Sequence, residues 1–200
     1  MNPPGRPWCC FIAVLLSCSG ILAWGPQKVY SVWLLPSGAQ YDSLHALICG
    51  LSARYPSPCF MPHVTVVGDV PGTLEDIAYR TEKLARRSHA LDARLTTIQW
   101  TRGNYSRSFY VLIDETPEFT RLYDDTCAVI GKCQTRPYHM SLMYTSKLSD
   151  TVKAGIRDSL YTAGVMQTVG AQVRFNRLVV CVTAGLSPEQ WSCPKEMRLE

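Results

Sequence analysis

PHVTVVGD, residues 62–69, is an apolar run with a histidine near its start, and PYHMSLMY, residues 137–144, repeats the arrangement. Both runs fit strands. Side chains alternate along a strand, so His63 shares a face with Thr65 while Val64 and Val66 take the other. His139 and Ser141 likewise oppose Met140 and Leu142. A proline precedes each motif, Pro62 directly and Pro137 one residue earlier. Each strand therefore presents an imidazole and a hydroxyl side by side.

The flanking sequence places these strands in a repeated context. Before the first, KVYSVWLL over residues 28–35 is rich in β-branched and aromatic residues and stops at Pro36-Ser37-Gly38, which reads as a strand ending in a turn. Tyr41, Leu44, Leu47, Ile48 and Leu51 then recur at helical spacing until Pro56. After the histidine strand, Thr73 caps a helix running through Ile77 and Leu84 toward Ser88, with Asp76 completing a weak capping box. Strands over 92–100 and 108–113 flank the turn Arg102-Gly103-Asn104 as a hairpin. Pro117 opens a third helix, carrying Phe119, Leu122 and Val129 and ending near Gly131. Past the second histidine strand come a fourth helix from Ser149 to Ala163 and strands over 169–175 and 178–183. A strand, helix, strand, helix unit thus recurs with a histidine strand in each copy, and the hairpins favour α+β over a doubly wound parallel sheet.

A chain of 200 residues fits one domain, or two small lobes sharing a core. The net charge of +4 is too small to signal a nucleic-acid binder. Arg6 precedes an uncharged stretch from Trp8 to Trp24, and polar sequence resumes at Gln27-Lys28, so residues 1–25 read as a hydrophobic leader, a signal peptide or an anchor. The stretch is short for a membrane span and Ser17, Ser19 and Gly20 interrupt it, so cleavage between Gly20 and Lys28 is the expectation. A secreted or leader-tethered product follows, with a cytoplasmic protein as the alternative. Outside the leader lie Cys49, Cys59, Cys127, Cys133, Cys181 and Cys193, an even number suited to pairing in an oxidising compartment. Cys127 and Cys133 are the best-placed pair, close together where a helix gives way to a loop. Cys181 lies in an apolar strand, a setting equally suited to a free buried thiol. No spacing matches a structural zinc site, and no metal or cofactor is expected.

Hydrolysis of a cyclic phosphate needs a base for the attacking water and an acid for the departing oxygen, and two imidazoles titrating near neutrality can divide those jobs. A hydroxyl two residues away on the same face can donate to a non-bridging phosphate oxygen. One His-x-Ser/Thr arises by chance in about half of chains this long, so a single copy carries little weight. The second copy, in a matching strand, is what selects His63 and His139 as catalytic and Thr65 and Ser141 as substrate-binding. His45 and His89 fall on helices without such neighbours and read as surface residues.

VYSVWLLP at the first strand, FMPHVTVV and YHMSLMY at the two motifs, and FNRLVVC on a late strand are where the sequence resembles a known family. From Val29 to about Trp191 it is similar to the plant and yeast cyclic phosphodiesterases of the two-histidine phosphoesterase superfamily. The resemblance implies a bilobal α+β fold, two pseudo-symmetric lobes of antiparallel sheet with outer helices around a central cleft, within a domain spanning 28–197. It implies hydrolysis of ADP-ribose 1'',2''-cyclic phosphate and of nucleoside 2',3'-cyclic phosphates to 2'-phosphates without a metal, with His139 as base and His63 as acid. It also implies a phosphate contact from Tyr144 and a disulfide matching Cys127 with Cys133. Strand alternation puts Tyr144 on the face opposite His139, so that contact requires a bulge or the strand's end. Trp33 reads either as a core tryptophan or as an adenine-stacking surface.

The leader, a shorter loop from Cys133 to His139 and a more basic Arg102 to Arg107 turn depart from the plant pattern and bear on substrate preference. The alternatives are a relative acting on RNA ends or 2',5'-linked oligonucleotides, which would need a longer basic and aromatic groove, and a module that binds cyclic phosphates without turning them over. The expected partner is a small cyclic phosphate, with no stable nucleic acid, a membrane contact only through the leader, and a monomeric state.

Overall fold

Arg94 is the single residue between β3 (Leu91–Ala93) and β4 (Leu95–Gln99), yet these strands stand at opposite ends of the sheet order β3-β7-β1-β2-β6-β5-β4. Consecutive Cα atoms are about 3.8 Å apart, so the sheet is rolled until its two ends meet. The computed structural model describes residues 28–166, 172–183 and 185–200, and the leader expected over residues 1–25 lies outside them. Among the described residues no helix is long and apolar enough to cross a membrane.

The remaining strands are β1 (Val29–Pro36), β2 (Val64–Pro71), β5 (Phe109–Ile113), β6 (His139–Met143), β7 (Val173–Val182) and β8 (Ser192–Arg198). All pairings are antiparallel, and β8 joins β7 beside β3. The halves meet where β2 touches β6 at Val64 and Met140, which leaves a lobe of β3, β7, β1, β2 and β8 and a lobe of β6, β5 and β4. The expected bilobal α+β architecture is present.

The helices are α1 (Gly38–Ser52), α2 (Leu74–Ala85), α3 (Pro117–Ile130) and α4 (Asp150–Thr162). Thr73, Thr116 and Ser149 each accept a first-turn backbone N–H through the side chain, which satisfies an otherwise orphan donor. Gly131 closes α3 at φ 79°, the left-handed conformation glycine adopts without penalty. Helices cross between lobes: α1 leaves β1 but packs chiefly on β6, and α3 leaves β5 but packs on β2 and β3. This exchange ties the lobes into one core that includes Val32, Leu34, Leu44, Val66, Phe119, Met140, Leu142 and Phe175.

Two sequence expectations are corrected and one element is added. The run over 92–100 is two strands that serve different lobes. The late runs over 169–175 and 178–183, of which 169–171 lie outside the described residues, are one continuous strand from Val173 to Val182, because β1 pairs with Phe175 and with Arg177 on either side of Asn176 and β8 pairs with Arg177, so the chain does not turn there. A further strand, β8, was not expected at all.

Cys49 bonds Cys59, Cys127 bonds Cys133 as anticipated, and Cys181 bonds Cys193 instead of remaining a free thiol. His89 is exposed but follows α2 rather than lying on it. His45 is half-buried with Nε2 3.5 Å from Cys49 Sγ and 3.7 Å from Cys59 Sγ. Three residues of metal-ligating types meet there, but the two sulfurs are joined and supply no thiolate.

Candidate active site

On β1 and β7 the pleat sends alternate residues to the face away from the helices, where Trp33, Leu35, Val179 and Cys181 form a second buried cluster. The cleft opens on this face. About 250 Å³ in volume, it is lined by His63, Thr65, His139, Ser141 and Tyr144 together with Ser31, Trp33, Tyr105, Arg107, Gln134, Thr183 and Trp191. Every residue singled out as a site candidate in the sequence is thus brought to one cavity.

His63 sits immediately before β2 and His139 opens β6. His63 Nδ1 lies 2.8 Å from the Met61 carbonyl oxygen and His139 Nδ1 lies 3.3 Å from that of Pro137. A carbonyl only accepts, so each Nδ1 carries the proton and each neutral ring keeps Nε2 as an acceptor for the cleft. Both histidines use the carbonyl two residues upstream. The same local device therefore orients the two rings from different lobes.

His63 lies face to face with Trp33, its ring centroid 3.7 Å away, and meets Phe60 and Trp191 edge-on. Trp33 is 3% exposed and His63 covers one face, so the core reading of this tryptophan holds and that face cannot stack an adenine. His139 meets Tyr110 edge-on at 4.9 Å. Burial lowers the His63 imidazole to about 4, with His139 adding repulsion against the opposing hydrogen bond to Met61. Burial likewise lowers His139 to about 4, against its bond to Pro137 and with the charge of Arg107 adding to the shift. The expectation of two imidazoles titrating near neutrality is corrected: both favour the neutral form, and an anion between them would raise both.

The two hydroxyls differ in commitment. Ser141 Oγ donates to the Ser106 carbonyl at 3.0 Å, whereas among the described residues the Thr65 hydroxyl has no partner, and its carbonyl accepts from the Tyr123 hydroxyl. Tyr144 reaches the cleft because β6 stops at Met143: its N–H is held by Ser57 Oγ, and Ser108 bonds both Met143 and Thr145. The strand's end thus supplies the turn that alternation alone denies. Burial pushes the Tyr144 phenol up to about 12 despite a hydrogen bond with Ser141 that lowers it.

Sequence reasoning missed Trp191, Ser31, Thr183 and Gln134. Ser31 and Thr183 are hydrogen-bonded across the cleft floor at 3.1 Å, and Ser31 shares the alternation that places Trp33. Trp191 arrives through long-range chemistry, since the Cys181–Cys193 bond draws its segment onto β7. Its indole N–H is buried without a hydrogen-bond partner among the described residues.

The family model for cyclic phosphodiesterase-like proteins matches residues 29–184. A cyclic phosphodiesterase of Arabidopsis thaliana is 27% identical over 159 residues, 78% of this chain and 86% of the relative. Among solved structures, Escherichia coli LigT complexed with phosphate superposes with a TM-score of 0.56 at 9% identity, covering 88% of this chain and 99% of LigT. TT0787 of Thermus thermophilus gives 0.57 at 15% identity, covering 87% and 98%. At these identities the two structures speak to the fold.

Proposed function

This chain belongs to the cyclic phosphodiesterase-like family, and on that premise we propose that it opens five-membered cyclic phosphates on ribose, with His139 as general base and His63 as general acid. The observation that carries the proposal is the pair of imidazoles, each fixed through Nδ1 by its own upstream carbonyl and each leaving Nε2 for the one cleft. A catalytic acid and base must start in opposite protonation states. Binding of the phosphate anion offsets the burial that keeps both rings neutral and allows one to take up a proton.

Two features favour His63 as the protonated partner. Its ring lies on the indole face of Trp33, which favours a cation, and the positive charge that disfavours protonation of His139 comes from Arg107. In the proposed step, His139 Nε2 takes a proton from water as the water oxygen bonds to phosphorus. The opposite phosphorus–oxygen bond breaks, and His63 Nε2–H gives its proton to the departing ribose oxygen. The product is a phosphomonoester; His139 leaves the step protonated and His63 neutral. Thr65, Ser141 and Tyr144 hold the non-bridging oxygens. The step as drawn uses only these side chains and water.

The proposed substrates are ADP-ribose 1'',2''-cyclic phosphate and nucleoside 2',3'-cyclic phosphates, the latter opening to 2'-phosphates. A cleft of about 250 Å³ supports a ligand of this class over a polymer. The bonded cysteine pairs support a product routed by its leader to an oxidising compartment. Assay of the purified chain on both substrates, with and without chelator, tests the proposal. Release of the phosphomonoester unaffected by chelator is expected, and failure to turn over either substrate overturns it.

A further inference from the structure

Lys153 is 5% exposed on the inward side of α4; among the described residues its side chain makes no hydrogen bond or close ion pair, and its charge is felt by the Asp150 carboxylate one turn earlier. Its aliphatic stem is buried while the ammonium at its tip keeps access to open space, the usual arrangement for a long cationic side chain. This lysine lines a cavity of about 190 Å³. Thr101, Asn104, Thr145 and Ser146 line it as well, offering hydroxyls and an amide.

The cavity also sits at the start of α4, where Ser149 caps the helix and the unpaired backbone N–H groups of the first turn favour an anion. Asp150, the acidic residue lining it, is already committed to the Arg102 guanidinium through Nε and Nη2. A cation, a helix N-terminus and neutral donors around a small space are the chemistry of an oxyanion site. Tyr105 lines both this cavity and the catalytic cleft, with its ring stacked on Tyr144 at 5.6 Å. Thr145 follows Tyr144 directly, so the two spaces are neighbours on either side of the Tyr105 ring.

We infer that the Lys153 cavity is a second phosphate site and that it takes a phosphate carried by the same substrate whose cyclic phosphate lies between His63 and His139. The inference rests on the function proposed for the cleft. It narrows the substrate class to cyclic phosphates bearing a further phosphate, and it gives the basic turn containing Arg102 a place at the substrate's far end.

The test compares kcat/KM for adenosine 2',3'-cyclic phosphate and for its 5'-phosphorylated form, in the full chain and in Lys153→Met and Lys153→Arg. The 5'-phosphate should raise kcat/KM about tenfold or more in the unmodified chain, the scale of one charged hydrogen bond. Lys153→Met should abolish that ratio and Lys153→Arg should retain most of it. Equal losses on both substrates, or a ratio that survives Lys153→Met, overturn the inference. Should Lys153→Met fail to fold, Asn104→Ala and Thr101→Val read the same ratio from the same cavity. Inorganic phosphate titrated into the assay of the unphosphorylated substrate is the remaining arm. A Lys153-dependent change in rate without a 5'-phosphate advantage would assign the cavity to a free anion and overturn the substrate-borne phosphate. Turnover of both substrates without a preference defeats this inference alone, whereas no turnover of either defeats the reading of the cleft and this inference with it.

Discussion

The imidazole of His63 lies flat on the indole of Trp33, with ring centroids 3.7 Å apart and planes inclined by 14°. Cross-strand pairing of Trp33 with Thr65 fixes this contact, because it sets β1 beside the very start of β2. An indole face attracts a cation more strongly than a phenyl face does. Trp33→Phe should therefore lower kcat and move the alkaline limb of the pH–rate profile to lower pH, by up to about one unit. A limb that stays in place would mean that Trp33 only packs.

Acid should destabilise the protein through the same rings. Both folded-state values are lowered to about 4, below the ordinary histidine value of about 6.5. Between those values the unfolded chain binds more protons, so stability falls as pH falls through the window. The effect is absent above about pH 6.5 and fully developed by about pH 4, at up to about 3 kcal/mol for each histidine. Denaturant midpoints measured across this range should show the slope, and His63→Gln with His139→Gln should flatten it. Inorganic phosphate should restore more stability at the acid end than at neutrality, because an anion favours the charged rings.

The hydroxyls should rank below the histidines and apart from each other. Thr65→Ala and Ser141→Ala each remove one hydrogen bond to a charged oxygen, worth about ten- to a hundredfold in kcat/KM. Thr65 should matter more, because Ser141 must first release the Ser106 carbonyl that it holds at 3.0 Å. Steady-state kinetics of both variants beside His63→Ala and His139→Ala would check the order.

Trp191 depends on a covalent link. The Cys181–Cys193 bond closes a loop with a sequence separation of 12, and a loop of that size contributes about 3 kcal/mol. Replacing both cysteines with serine should lower Tm and raise KM together, since the change loosens β8 and the tryptophan that meets His63, Trp33 and Tyr144 edge-on. A lower Tm with unchanged KM would separate the bond from the cleft.

What could be read in advance was local. Thr73, Pro117, Gly131 and Ser149 announce helix ends because caps act within one turn. His63 with Thr65 and His139 with Ser141 announce the cleft because strand alternation is equally local. The misses are long-range. SCPKEMR carries too many solvent-facing side chains to read as a strand, and it becomes one only because β7 offers an open edge. Nothing at Arg94 marks a break, since the chain changes lobes there without turning, and Asn176-Arg177 resemble a turn only until β1 pairs on both sides of Asn176. The lowered imidazoles were invisible for a related reason: the burial of His63 is set largely by Trp33 and Trp191, and that of His139 in part by Tyr110, which arrive from distant segments.

The most direct test of the division of labour uses a phosphodiester whose leaving group, 4-nitrophenolate, departs without needing a proton. Rates for the unmodified chain, His63→Ala and His139→Ala on this diester are set beside rates on a nucleoside 2',3'-cyclic phosphate. With His63 as the acid, the activated leaving group should rescue His63→Ala by orders of magnitude more than His139→Ala. Rescue of His139→Ala instead would reverse the two roles, and equal rescue of both variants would contradict a divided acid and base altogether.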